Sequence, residues 1–158
     1  MNEPIFSGID PAQLRQTLAA GIDCGGNPIE PFVDADGGWP MRCCLADSLP
    51  GDEIAIIGWS PYAWSGPYRE TGPIVVHTGG CAGTWQLPAL PQDLDQRTMT
   101  LRPYGHDHRI LYDLVAAIPE GGSLTTLTAA LLDRPEVAEV YGRNIRGGCF
   151  AFVARRAD

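Results

Sequence analysis

The chain has no lysine: all eleven of its Lys-plus-Arg residues are arginine. That excludes Schiff-base catalysis, an internal pyridoxal-phosphate aldimine and the Walker A phosphate loop, each of which needs a lysine amine. It also makes every fixed cationic side chain a planar guanidinium that can fork onto a carboxylate or a phosphate. A genome-wide bias towards arginine accounts for the absence without any functional cause, and the exclusion holds either way. Other signals are missing too. There is no C-x-x-C, no G-x-S-x-G, no H-E-x-x-H and no G-x-G-x-x-G, so redox-dithiol, serine-hydrolase, zincin and dinucleotide-binding readings have no motif behind them. No apolar run approaches membrane-spanning length, and the opening MNEPIFSGIDP lacks the basic start and apolar stretch of a signal peptide. The expected location is the cytoplasm. A net charge of −8 argues against a nucleic-acid or anionic-membrane partner, since both demand a basic face.

What is present describes an ordinary globular chain. Its 158 residues, 44% hydrophobic and 19% charged, are enough for one domain with a proper core. Five cysteines, an odd number without a secretory signal, point to reduced thiols rather than a disulfide framework.

The clearest architecture lies near the C-terminus, in residues 136–155. Two β-prone runs, at 137–145 and 149–153, flank Arg146-Gly147-Gly148, and a glycine pair there reads as a hairpin turn. A period of two puts Phe150, Phe152 and Ala154 on one face of the second strand and Cys149, Ala151 and Val153 on the other. Both faces are apolar, which predicts an interior strand. Asp10-Pro11 is a helix start and Gly21 the matching stop; Ser123 caps a second helix carrying Leu124, Leu127, Leu131 and Leu132, ended by Pro135. Short strands are predicted at 31–33, 53–59 and 73–78, the last as an interior strand. Residues 98–104 and 109–118 form a second hairpin about a turn at 105–108. Met41, Cys43 and Leu45 alternate with Arg42, Cys44 and Ala46, which reads as a half-buried strand with the two cysteines on opposite faces. Residues 60–72 are loop, a Gly-rich turn surrounds Cys81, and residues 85–97 are proline-interrupted and irregular. The sum is an α+β fold, a single domain with a mainly antiparallel sheet of about six to eight short strands and two helices.

The stretches LADSLPGDE, GPYRETGPIVVH, TLRPY and EVYGRNIRGGCFAFVARR occur in the order found in a bacterial family, domain of unknown function 1203 (DUF1203). The chain resembles that family from about residue 40 to 156. Two positions depart from the family pattern as the resemblance gives it: Met41 stands where a cysteine is usual, and Gly105 where an acid is usual. The resemblance carries no activity. Its motifs nominate Arg42, Tyr68, His77, Arg102, Tyr104, Asn144 and Cys149.

Several chemistries can be built on these residues. Cys149 is a candidate nucleophile, with Arg143 and Arg146 near enough in sequence to stabilise a thiolate; a small apolar core residue is the reading that a free cysteine more often bears out. His77 ends an apolar strand, where a general base could face a cleft, or where a core histidine bonds to backbone. Tyr104 completes the catalytic candidates. Tyr62, Trp64 and Tyr68, with Trp59, Arg42, Arg69 and Arg102, can line a pocket for a small anionic or aromatic molecule; the alternative is a loop whose aromatics plug the core. Asn144 joins the substrate-binding set through the resemblance alone. Cys44, His77, Cys81 and Cys149 can be combined into a zinc set, His77 and Cys81 supplying H-x-x-x-C, but only that one close pair is visible. His106 and His108 read as solvated turn residues. The expectation is a small-molecule ligand, no metal and no cofactor, with oligomeric state open and a homodimer among the options. The leading function is a cofactor-free enzyme using acid–base or cysteine/histidine chemistry. A non-catalytic ligand-binding or protein-interaction module is the alternative, and a zinc-binding domain a third.

Overall fold

The C-terminal hairpin forms the centre of the molecule. In the computed structural model, which describes residues 3–81 and 83–158, strands β8 (Val137–Asn144) and β9 (Phe150–Arg156) pair antiparallel. Ala82 of the predicted Gly-rich turn and the first two residues of the N-terminal stretch lie outside the described residues. The connecting turn closes where Gly148 N–H donates to the Asn144 carbonyl, with Gly148 at φ +70°, a conformation that glycine adopts without steric cost.

Around this hairpin the chain builds a six-stranded antiparallel sheet in the order β5-β1-β9-β8-β6-β7. The added strands are β1 (Pro4–Ser7), β5 (Gln86–Leu87), β6 (Met99–Gly105) and β7 (Ala116–Ile118). β9 is interior, paired with β1 on one side and β8 on the other. A second antiparallel sheet holds β2 (Phe32–Val33), β3 (Glu53–Trp59) and β4 (Gly72–His77), with β3 central. Two helices of nine or more residues, α1 (Pro11–Ala20) and α3 (Leu124–Leu132), the four-residue α2 (Gln92–Asp95) and a 3-10 turn at Tyr112–Leu114 complete the described elements. The expected α+β fold with a mainly antiparallel sheet is present. Among the described residues, no helix is long and apolar enough to cross a membrane.

Both predicted helix starts hold. The Asp10 side chain accepts from Ala12 N–H at 2.7 Å, with Pro11 as the first helical residue, and Gly21 ends α1 in the left-handed conformation. Ser123 Oγ accepts from Thr126 N–H at 3.2 Å.

The six-stranded sheet has apolar side chains on both faces, which is why its interior strands read as continuously hydrophobic. One face packs Phe6, Phe152, Val140 and Leu101 against α3 and α2 through Leu124, Leu132 and Leu94. The other packs Tyr104, Tyr141, Phe150 and Val153 against the three-stranded sheet and α1 through Ile54, Ile57, Ile74 and Leu14.

Four local expectations are corrected. Phe150 and Phe152 do not share a face: the β8–β9 register shifts between Gly142 and Arg143, so that Phe150 meets Trp59 and Phe152 meets Phe6. β4 is an edge of its sheet rather than an interior strand; Met41 bridges it in parallel, and Arg42 N–H donates to the Val75 carbonyl. Residues 41–46 are turns, not a strand, with Leu45 at φ +61° and the ends closed by the Pro40–Asp47 bridge. A short helix replaces part of the irregular stretch at 85–97.

Candidate functional site

The turn of the β8–β9 hairpin and β4 face each other across a gap, with the Pro40–Arg42 segment that bridges β4 at its side. Between them lies an open cleft of about 290 Å³. Its apolar walls are Trp39, Pro40, Ile56, Pro73, Ile74, Val75 and Phe150; its polar groups are Arg42, Asn144 and Cys149. A smaller cleft of about 80 Å³ adjoins it, sharing Pro73, Cys149 and Phe150 and adding Glu70 and Arg143. Cys149 therefore sits between two guanidinium groups, one in each cleft. Its thiol donates weakly to the Gly147 carbonyl at 3.7 Å.

Arg42 is the anomaly. Only 3% of the residue is exposed, yet among the described residues no hydrogen bond or ion pair reaches its guanidinium. Asp47, a carboxylate whose field it feels, is engaged by Arg97 at 2.7 Å. Burial, reinforced by the charge of Arg97, lowers the Arg42 pKa to about 10, so the side chain is still charged at neutral pH. None of its nitrogens is among the polar atoms sealed from solvent without a partner, so the charged end opens onto the cleft, where a bound anion would compensate it better than water.

The predicted aromatic pocket is filled by its own members. Tyr62, Tyr104 and Tyr141 are almost wholly buried and pack on one another, with Tyr62 and Tyr141 stacked at 4.6 Å between ring centroids. The Tyr62 hydroxyl accepts from Arg143 at 2.6 Å and Arg102 at 3.1 Å, and shares a hydrogen bond with Tyr104 Oη at 3.1 Å. Glu70 bridges the same two guanidinium groups. Arg69 donates to the Tyr62 and Trp64 carbonyls, and Trp64 stacks on His108. Tyr68 reaches Tyr112 at the rim. Tyr62, Trp64, Tyr104 and Arg102 thus hold loop 60–72 onto the sheet; Arg102 and Tyr104 line neither cleft. Burial and the Tyr62 contact raise the Tyr104 pKa well above the ordinary phenol range, which removes it from acid–base work near neutral pH.

His77 lies at the far end of β4 from Gly72 and lines neither cleft that holds Cys149. Its Nε2 meets Asp52 Oδ2 at 2.9 Å and its Nδ1 meets Cys43 Sγ at 3.2 Å. The sequence singled out neither Cys43 nor Asp52, and it missed Trp39, Glu70 and Glu139. Asp52 follows Pro50-Gly51 in a turn, and nothing local distinguishes it from any other turn carboxylate. The thiols beside His77 influence one another: Cys44 is lowered to about 6, chiefly by a hydrogen bond from Cys43, while that bond and burial push Cys43 up. Of the predicted site residues, the main cleft thus unites Arg42, Asn144 and Cys149, and it excludes His77 and Tyr104.

No curated protein and no solved structure matches the chain. Residues 38–156, which hold both clefts and the His77 cluster, match the family model described as Protein of unknown function (DUF1203), and the chain belongs to that family.

Proposed function

We propose that the chain binds a small amphipathic anion, a carboxylate or phosphate on an apolar body, in the cleft between the hairpin turn and β4. The observation that carries this reading is Arg42: a buried guanidinium with no partner of its own, on the wall of a mostly apolar cleft. A ligand oxyanion supplies the missing partner through charge-assisted, bidentate hydrogen bonds. Asn144 offers an amide to a further oxygen, and Trp39, Ile74 and Phe150 offer apolar wall. The volume suits a molecule smaller than a typical drug. Cys149 is the one thiol at this cleft, so any covalent chemistry on the bound molecule falls to it, with no histidine lining the cleft to assist.

The test uses three probes that share one phenyl ring: benzoate, phenyl phosphate and uncharged benzyl alcohol. An anion should perturb the amide resonances of Arg42, Asn144 and Cys149 and slow iodoacetamide modification of Cys149, leaving exposed Cys24 unaffected. Benzyl alcohol should do neither. Equal protection of Cys149 by all three probes would show that the cleft is merely greasy and that Arg42 recognises nothing.

A further inference from the structure

A second cluster lies at the other end of β4, and it does not depend on the anion cleft. The Sγ atoms of Cys43, Cys44 and Cys81 and a ring nitrogen of His77 all lie within 4.8 Å of one another. Three separate segments converge to place them: the turn at 41–46, the end of β4, and the glycine-rich turn around Cys81. Because residues 41–46 turn rather than extend, the adjacent Cys43 and Cys44 point into one cluster instead of onto opposite faces. The turn around Cys81 packs so tightly on Cys44 that a Cβ at Gly83 would stand 2.2 Å from the Cys44 Cβ. Only glycine permits that approach.

We propose that Cys43, Cys44, Cys81 and His77 form a structural Cys₃His zinc site. Three kinds of observation support it besides proximity. Tetrahedral zinc with bonds of about 2.3 Å to sulfur sets neighbouring sulfurs about 3.8 Å apart, so the group needs to contract by no more than about 1 Å. The Cys43 thiol also receives the His77 backbone N–H at 3.5 Å, an arrangement that stabilises negative sulfur. Finally, His77 Nε2 is held by Asp52, whose Oδ2 also accepts from Leu49 N–H at 2.8 Å. With the proton on Nε2, the Nδ1 lone pair faces the cysteines, and a carboxylate–histidine pair is the usual outer support of a zinc ligand. A simple catalytic Cys–His–Asp triad would account for Cys43, His77 and Asp52, but it leaves the convergence of Cys44 and Cys81 without a role.

All four coordination positions come from protein, which marks a closed, structural site. On binding, the three thiols lose their protons to solvent and the cation takes their lone pairs with that of Nδ1, leaving a net charge of −1 beside a cavity of about 190 Å³ that Arg15 lines. The site would fasten the turn at 41–46 and the turn around Cys81 to the end of β4. The set differs from the one read off the sequence in a single member, Cys43 in place of Cys149.

The experiment is a cobalt(II) titration of the full, reduced, chelator-treated chain, followed by competition with zinc(II). One equivalent of cobalt should give thiolate-to-metal charge-transfer absorption and the intense visible bands of a tetrahedral site, and zinc should bleach both. Asp52→Asn should weaken zinc about 10–100-fold while keeping the spectrum, as loss of an outer partner does. Cys81→Ser should weaken it about a hundredfold or more. Cys149→Ser and Cys24→Ser should change nothing. Absence of the charge-transfer band at one equivalent, a disulfide within the cluster under reducing purification, or equal loss in Cys149→Ser would each overturn the proposal. Should Cys81→Ser fail to fold, the wild-type spectrum and the Asp52→Asn affinity still decide it.

Discussion

Arg42 concentrates the conflict between stability and function into one side chain. Its stem is buried with apolar neighbours, and its charge has no internal partner among the described residues. Replacing it with methionine keeps most of the volume and removes the desolvated charge. Arg42→Met is therefore expected to raise the stability of the unliganded chain by about 1–3 kcal/mol, in the way that hydrophobic replacement of buried ions does. The same change should abolish the protection of Cys149 by benzoate. Urea denaturation measures the first effect and iodoacetamide kinetics the second. A destabilised variant would mean that Arg42 already has a compensating partner within the fold. This residue was visible in the sequence as one arginine among eleven, nominated by family resemblance; its isolation was not, because it depends on Asp47 turning to Arg97 instead. Cys43 was hidden for a different reason. Alternation over residues 41–46 imitates a strand, and only the left-handed Leu45 and the Pro40–Asp47 bridge fold it into a turn. A non-glycine residue at positive φ leaves no mark in composition.

At the scale of elements, the loop at 60–72 is fastened by polar groups as well as by its apolar contacts with the sheet. The Tyr62 hydroxyl accepts from both Arg102 and Arg143, and Glu70 neutralises the pair. Tyr62→Phe leaves the ring packing intact and takes away the shared acceptor. Since hydrogen bonds to charged groups contribute about 1.5–3 kcal/mol, stability should fall by about that amount, and limited proteolysis should cut first within 60–72. An unchanged denaturation midpoint would show that Glu70 alone holds the arginines. The helix caps offer a calibrated contrast: Asp10→Ala should cost about 1 kcal/mol in the same assay, with no effect on loop cleavage. These elements were legible to different degrees. Caps are local signals, so both long helices could be read from Asp10-Pro11 and Ser123. The aromatic loop could be seen but not assigned, because Tyr62 and Trp64 look alike whether they wall a pocket or plug a core. Their hydroxyl and carbonyl partners, Arg102, Arg143 and Arg69, decide for the core. The β-bulge opposite Arg143, which sends Phe150 and Phe152 to opposite faces, breaks the period of two on which the face assignment rested.

Across the whole molecule, the six-stranded sheet is a middle layer with two cores of different chemistry. The face towards α3 is aliphatic apart from Phe6 and Phe152; the face towards the three-stranded sheet buries Tyr62, Tyr104 and Tyr141. The sequence displayed the longer strands but neither β1 nor β5, and not this layering, since β1 pairs with β9 at the opposite end of the chain and nothing local encodes such a partner. The buried phenols give the layering a measurable consequence in alkali. Burial, then the negative Glu139 that accepts the Tyr141 hydroxyl proton at 2.7 Å, raises the Tyr141 pKa far above the ordinary value of 10; burial and Tyr62 do the same for Tyr104. Both folded-state values lie above the unfolded ones, so the folded chain holds more protons than the unfolded chain once pH exceeds about 10. The stability these phenols confer is complete below that pH and declines progressively as pH climbs towards the raised values. Phenolate absorbance should therefore rise in two stages, with Tyr104 and Tyr141 ionising only as near-ultraviolet circular dichroism collapses. Tyr141→Phe and Tyr104→Phe should each remove amplitude from the late stage and none from the early one. If phenolate absorbance reached its full five-tyrosine amplitude while the dichroism persisted, the tyrosine face would be open to solvent rather than a second core.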